Sequence, residues 1–403
     1  MTTSYHKMSR IEQLNFLADN TKVSFKELRQ LVFNETRNNQ IENYLTDYVM
    51  PEGIAVNLVV NGRKYLVPMV TEEPSVIAAA SFGSKIINLA GGLKSKSQRL
   101  MTGQILINEK VEPVKNFIQR HETEILKIAN QAHPSMQRRG GGAKSLRTRI
   151  LTDNKMSLDI LVDTKEAMGA NTINTMMEAV GSYLRQNNIA VEMAILSNLM
   201  DDALAMATCR IPFQLIGKEV AEKISVASDF AQLDPYRAAT HNKGIMNGID
   251  AVVMATGNDF RAIESGAHAF AVQNGQYRGL SQWQVDGKYL VGKIQLPMPI
   301  ATVGGSIGIN SLAQMNLKIL GNPQAKELAE IIAALGLAQN LAALRALVSE
   351  GIQKGHMKLQ AKSLLLACGA TADELPMAVA KLLGKSIDSK NAKQVLTEMR
   401  KKD

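Results

Sequence analysis

Cysteine is almost missing from this chain: Cys209 and Cys368 are the two present in 403 residues. So few, so far apart, they exclude a disulfide framework and a cysteine-built zinc site, and they fit a reducing compartment. Neither is assigned a role. Aromatic residues make up 4% of the chain, with one tryptophan. No run approaches the roughly eighteen consecutive apolar residues of a membrane span, so no membrane partner is expected. The opening MTTSYHKMSRIEQLNFL has no apolar core followed by a small-residue cleavage site, and a cytoplasmic location is expected. The six histidines are scattered without ligand spacing, so no metal is expected.

What is present is ordinary for a globular protein with room for two or three domains: 45% hydrophobic and 21% charged residues. The net charge of +9 suits a nucleic-acid binder, and equally an enzyme acting on polyanionic CoA thioesters and phosphorylated dinucleotides. The basic excess gathers at residues 94–99, 137–149 and 400–402.

The densest chemistry lies in residues 234–259, DPYRAATHNKGIMNGIDAVVMATGND, which crowd Arg237, His241, Lys243, Asn247 and Asp259 among glycines and short apolar residues. A solvated surface helix would spread its charges instead. The run IDAVVMAT reads as a buried strand ending in a Gly257-Asn258 turn, which puts Asp259 at a strand end. Lys243, between Asn242 and Gly244, reads as a loop residue. Upstream, residues 9–48 alternate short amphipathic helices with polar turns. Two strands from Ile54 and Arg63 are joined by Asn61-Gly62, the dipeptide of a type I′ hairpin. Pro74 reads as the first position of a helix running to Gly91-Gly92, with Glu73 at its N-cap.

From Gly103 the pattern changes to strand, helix (114–129), two strands (SLRTRIL and SLDILVD), helix (171–185) and strand. That order is the βαββαβ of a ferredoxin-like unit. RNA-binding domains share it, but stack bases on aromatics of the central strands; SLRTRIL and SLDILVD, read as central, carry none. No GxGxxG occurs here, so a Rossmann site is unsupported. The turn Ala167-Met168-Gly169-Ala170-Asn171 can still offer backbone amides and a helix N-terminus to a pyrophosphate. After Asp201 follow a helix-rich stretch, a hairpin, a helix opened by Pro323, a second helix approaching His356, and a helical tail with a capping-box pattern at residues 371–374.

The segments DPYRAATHNKGIMNGID and ATGNDFRAIESGAHA, with IENYL, TEEPSVIAAAS, EAMGAN, ILSNL and GIQKGHM in order along the chain, closely resemble class II 3-hydroxy-3-methylglutaryl-CoA reductase. The resemblance implies an α+β fold: a large mixed helix/sheet domain (1–98 and 202–351), an inserted ferredoxin-like dinucleotide domain (99–201) and a small C-terminal helical flap (352–403). It implies reduction of 3-hydroxy-3-methylglutaryl-CoA to mevalonate and CoA by two reduced nicotinamide cofactors, in at least a homodimer whose active site lies at the subunit interface. Catalytic roles pass to Glu73 as proton donor, Lys243, Asp259 and His356, with Asp259 holding Lys243 in a shared hydrogen-bond network. Ser75, Arg237 and Asn247 are expected to bind substrate. Glu166, Met168, Gly169 and Asn171 match the family's DAMGAN cofactor motif, with Glu166 in place of its aspartate. An aspartate occupies the position of His133 in members that use NADH; here His133, with Arg138 and Arg139 nearby, points to NADPH, with NADH the alternative. Reduction of another acyl-CoA, or RNA binding, are the competing readings.

Overall fold

The computed structural model describes residues 4–349 and 352–400. Residues 1–51 form one compact unit and residues 52–403 a second. The first unit holds helices α1 (Arg10–Asn20), α2 (Phe25–Leu28) and α3 (Glu35–Asn38). Capping boxes Ser9/Glu12 and Ser24/Glu27 start α1 and α2, each satisfying helix-end amides that otherwise lack a partner. Arg10 ties α1 to the end of the unit by donating to the carbonyls of Tyr44 and Leu45.

The second unit opens with the hairpin β1 (Glu52–Val60) and β2 (Arg63–Val70). Asn61 and Gly62 take φ of 52° and 84°, the paired left-handed conformations of the expected type I′ turn. Helix α4 (Val76–Leu89) follows, then β3 (Lys94–Ser97). Next come β4 (Met101–Ile107), α5 (Val111–Arg120), α6 (Glu122–Ala132), α7 (Pro134–Arg138), β5 (Gly142–Thr152), β6 (Lys155–Asp163), α8 (Ala170–Gln186) and β7 (Val191–Leu196). These strands form one sheet in the order β5-β6-β4-β7 with antiparallel neighbours. Thus β5, which carries SLRTRIL, is an edge strand, and the inner strands are β4 and β6; neither has an aromatic residue. The single helix expected over 114–129 breaks at His121, whose ring stacks on Phe117 and contacts its carbonyl oxygen at 2.8 Å.

Then follow β8 (Leu204–Pro212), α9 (Phe213–Ile216), α10 (Lys218–Leu233), α11 (Pro235–Ala255) and α12 (Phe260–Phe270). A two-residue ladder of β9 (Val272–Gln273) and β10 (Gln276–Tyr277) precedes the hairpin β11 (Ser281–Asp286) and β12 (Tyr289–Pro297). The second large sheet has the order β11-β12-β8-β3. Helices α13 (Ser311–Ile319), α14 (Ala325–Val348), α15 (Ile352–Ala367), α16 (Leu375–Leu382) and α17 (Ser389–Arg400) close the chain.

Three expectations are corrected here. IDAVVMAT is no strand, and Lys243 sits in no loop: both belong to α11, a helix of 21 residues. Asp234 caps it by accepting from Arg237 N at 2.7 Å, and Pro235 occupies the first turn. Its buried positions Ala238, His241, Ile245, Ile249 and Val252 recur every three or four residues, so helical packing overrides the β-branched composition. Likewise the two helices expected after Pro323 are one, because Gly336 is a packing residue: a Cβ there would lie 2.9 Å from Ile249. This α14 is long and apolar enough to cross a membrane, with mean hydropathy 1.7, but 72% of that window is buried inside the fold.

Among the described residues, most buried side chains gather in three clusters. The largest gathers α4, α11, α14 and the β11-β12-β8-β3 sheet, the second surrounds β4 to β7, and the third lies among α15, α16 and α17.

Candidate active site

Helices α4, α11 and α14 enclose a cavity of 530 Å³ whose lining includes Glu73, Ser75, Arg237, Lys243 and Asn247. All five were singled out from sequence, and packing brings them together from two distant stretches. Lys243 Nζ donates to Glu73 Oε2 at 3.0 Å across 170 positions of chain. With the side chains 63% and 31% exposed, such a pair contributes only about 0–1 kcal/mol to stability. Its consequence is orientation of a cation and a carboxylate toward one cavity.

Glu73 is not the N-cap of α4; Ser75 is, at φ 92°. A non-glycine residue in that conformation costs about 1–3 kcal/mol and needs support from its surroundings. Glu73 lies two residues before this N-cap and bonds Lys243 instead of capping the helix. Arg237 makes no side-chain ion pair among the described residues, and burial pulls its pKa below the usual arginine value. An unpaired, half-buried guanidinium is an anion site in waiting.

Asp259 is elsewhere. It caps α12, accepting from Arg261 N at 3.0 Å and Ala262 N at 3.3 Å, and pairs with the Arg261 guanidinium at 3.3 Å. Twelve residues of helix from Lys243 to Ala255 rise about 18 Å at 1.5 Å each. Within one chain, therefore, Asp259 does not join the Lys243 network, contrary to expectation. It lines a second cleft, of 650 Å³, with Met168, Gly169, Asn171, Gly304 and Gly305.

That cleft has the features of a phosphate cradle. Gly169, at φ 86°, is the N-cap of the 17-residue α8, and no side chain caps it. The first amides of α8 and the positive end of its dipole therefore face the cleft lined by Ala170, Asn171 and Thr172. Glu166 is not among the residues that line the cleft. It accepts from Thr302 Oγ1 at 2.8 Å and from Ala325 N at 2.7 Å, which ties the loop to the start of α14. His133 contacts Thr172 Oγ1 at 3.3 Å and Ser135 Oγ at 3.1 Å, at the edge of the first turn of α8. Arg138 and Arg139 are exposed at the end of α7 and do not line the cleft. The side chain of His356, on α15, lies outside the described residues. Among the described residues, no group of three His, Cys, Asp or Glu side chains is arranged to hold a metal ion.

Sequence reasoning missed Arg99. It is 5% exposed and donates to the carbonyls of Lys165, Ala167 and Ile300, so it pins the cradle loop to the large core. Its position in a run counted as surface charge hid it; an arginine between two strands, at the point where the fold changes pattern, was the available signal. Gly304 and Gly305, which the sequence did not single out, are part of the cleft wall.

The family described as hydroxymethylglutaryl-coenzyme A reductase matches residues 9–361. The 3-hydroxy-3-methylglutaryl-coenzyme A reductase of Archaeoglobus fulgidus is 42% identical, over 98% of this chain and 94% of its own. The probable reductase of Borreliella burgdorferi is 38% identical over 81% and 78%. A solved structure of the Streptococcus pneumoniae enzyme is 46% identical, with a TM-score of 0.77, over 98% of this chain and 99% of that one. A second, described as class II and bound to NADPH in open conformations, has a TM-score of 0.76 at 46% identity, over 98% and 100%. A strained serine, a Lys–Glu pair between α11 and the segment before α4, and an uncapped glycine-led helix thus stand in a chain that belongs to the hydroxymethylglutaryl-coenzyme A reductase family.

Proposed function

We propose that this protein reduces 3-hydroxy-3-methylglutaryl-CoA to mevalonate and free CoA, with Lys243 and Glu73 at the reacting carbonyl. The Lys243–Glu73 pair at 3.0 Å, facing a cavity that also holds an unpaired arginine, is the observation that carries this reading. NADPH, when bound, supplies the hydride at each of two reductions. The uncapped start of α8 fits its pyrophosphate, Gly169 supplies the left-handed turn that packs against Thr164, and the Streptococcus pneumoniae relative binds the same cofactor. NADH is the alternative, to be compared directly.

Each hydride transfer leaves negative charge on the carbonyl oxygen. Lys243 Nζ is a fixed cation for that oxyanion, effective because it needs little reorganisation. Glu73, bonded to Lys243, delivers a proton to the same oxygen. Arg237, Ser75 and Asn247 hold the acyl group's polar ends. Release of CoA as a thiolate calls for an acid, and His356 on α15 takes that role as the C-terminal helices close.

The separation of Asp259 from Lys243 supports a homodimer in which Asp259 of one subunit reaches the Lys243 cavity of the other. The separate cores support a ferredoxin-like unit over 99–201 inserted between the segments 1–98 and 202–351, with a helical flap from 352 to 403. The sheet order β5-β6-β4-β7 is that of the split βαβ arrangement. A cytoplasmic location remains the expectation. The aromatic-free inner strands speak against RNA binding.

The test follows absorbance at 340 nm with 3-hydroxy-3-methylglutaryl-CoA and NADPH or NADH, and quantifies mevalonate and CoA. Two cofactors oxidised per mevalonate support the reading. A folded protein that oxidises neither cofactor with this thioester overturns it.

A further inference from the structure

Arg99 lies between β3 and β4, outside the lining of the 650 Å³ cleft, and its polar contacts among the described residues are three backbone carbonyls. Burial pulls its pKa down to about 10, against the raising effect of the Glu166 and Asp163 charges, so the guanidinium stays a cation at neutral pH. The carbonyls come from two segments that both lead into the cleft. Lys165 and Ala167 precede Gly169, the N-cap of α8, and Ile300 sits between Pro299 and Ala301, which are part of the lining.

In a trans peptide the C=O and N–H point in opposite directions. A carbonyl drawn to Arg99 therefore sends the amide of the next residue the other way. At Ile300 the outcome is on the page: Ala301 N donates to Asn258 Oδ1 at 2.8 Å, and both residues line the cleft. At Ala167, whose carbonyl accepts from Arg99 Nη2 at 2.9 Å, the same arrangement orients Met168 N. Met168 lines the cleft, and its N–H has no acceptor among the described residues. A cation at the carbonyl also polarises the peptide and makes its N–H a stronger donor.

We propose that Arg99 is a positioning residue for the cofactor: by holding the Ala167 carbonyl it presents the Met168 N–H to a phosphate oxygen of the dinucleotide, beside the first amides of α8. The inference rests on the reading of this cleft as the cofactor site.

The test is direct binding of NADPH to the full chain, followed by the cofactor's fluorescence. Arg99→Lys keeps the charge, but one ammonium does not reproduce the guanidinium fork on three carbonyls. In a second variant the α-hydroxy acid of methionine replaces Met168, so the 167–168 amide becomes an ester without an N–H. Each change is expected to raise the dissociation constant of NADPH about tenfold, the size of one lost hydrogen bond to a charged group. The constant for 3-hydroxy-3-methylglutaryl-CoA stays within about twofold. Combined in one chain, the two changes weaken NADPH little more than either alone, because both act through one amide. An unchanged constant in the ester chain, additive losses in the double variant, or equal weakening of NADPH and thioester overturns the proposal. The ester chain alone decides it where R99K does not fold. If the unsubstituted protein binds no NADPH, the underlying reading of the cleft fails instead.

Discussion

At the scale of single residues, the Lys243–Glu73 pair and the Asp250–Glu264 neighbours differ in what they do. The exposed Lys243 contributes little to folding, so Lys243→Ala is expected to leave the melting temperature unchanged. Its turnover is expected to fall by about 10²–10³, the usual effect of removing one oxyanion-stabilising donor. Steady-state rates beside a thermal melt check both; near-normal turnover would remove the lysine from the mechanism. Asp250 has the opposite character. Burial, and then the neighbouring Glu264 carboxylate, hold its pKa well above the usual carboxylate range, and its Oδ1 has no partner among the described residues. The unfolded chain releases this proton near its ordinary pKa of about 4, whereas the folded protein keeps it. Above that pH the native state binds more protons than the unfolded one, so stability falls as pH rises toward the raised native pKa. In Asp250→Asn this decline is expected to flatten, with the gain over wild type larger at about pH 8 than at about pH 5, measured by urea unfolding at both. An unchanged slope would show that other groups set the pH dependence.

At the scale of elements, α14 is the member against which α4 and α11 are set, and glycine permits both contacts. A Cβ at Gly83 would lie 1.9 Å from the carbonyl oxygen of Ala338, a clash with backbone that no side-chain rotation relieves. Gly83→Ala is expected to push α4 from α14, destabilise the protein by about 1–3 kcal/mol and raise the KM for the thioester. The reason is that Glu73 and Ser75 lead into α4 while Lys243 rides on α11. Denaturant unfolding and steady-state kinetics read the two effects. A wild-type unfolding midpoint would mean the helices adjust freely.

At the scale of the whole molecule, the two clefts divide the chemistry. One holds Lys243 and Glu73, the other Asp259 and the loop of residues 167–171. If one subunit supplies Asp259 to the other's lysine, a mixture of Lys243→Ala and Asp259→Ala chains regains one intact site per mixed dimer. Activity of about a quarter of wild type is then expected after random reassociation of two inactive variants. No recovery in verified mixed dimers would place the whole catalytic set within one chain.

The residue types and their order were enough for the sequence to specify the chemistry. Glu73, Lys243, Asp259 and the Met168-Gly169 turn stood out because charge among glycines and short apolar residues has few structural uses, and the motifs they form match one family in order. Strands, hairpin and most helix positions were legible too, because alternation, caps and turn residues act over a few neighbours. Only the tertiary structure decided that IDAVVMAT is helical, that Ser75 rather than Glu73 begins α4, and that Arg99 and Glu166 hold the loop of residues 165–171. It also decided that Asp259 lies a helix length from Lys243 and that His241 Nδ1 is buried without a partner among the described residues. A β-branched run satisfies strand and helix alike until α14 selects one, and an unpaired atom exists only once every possible partner has a position. Those are properties of packing between residues far apart in the chain, and short-range pattern does not contain them.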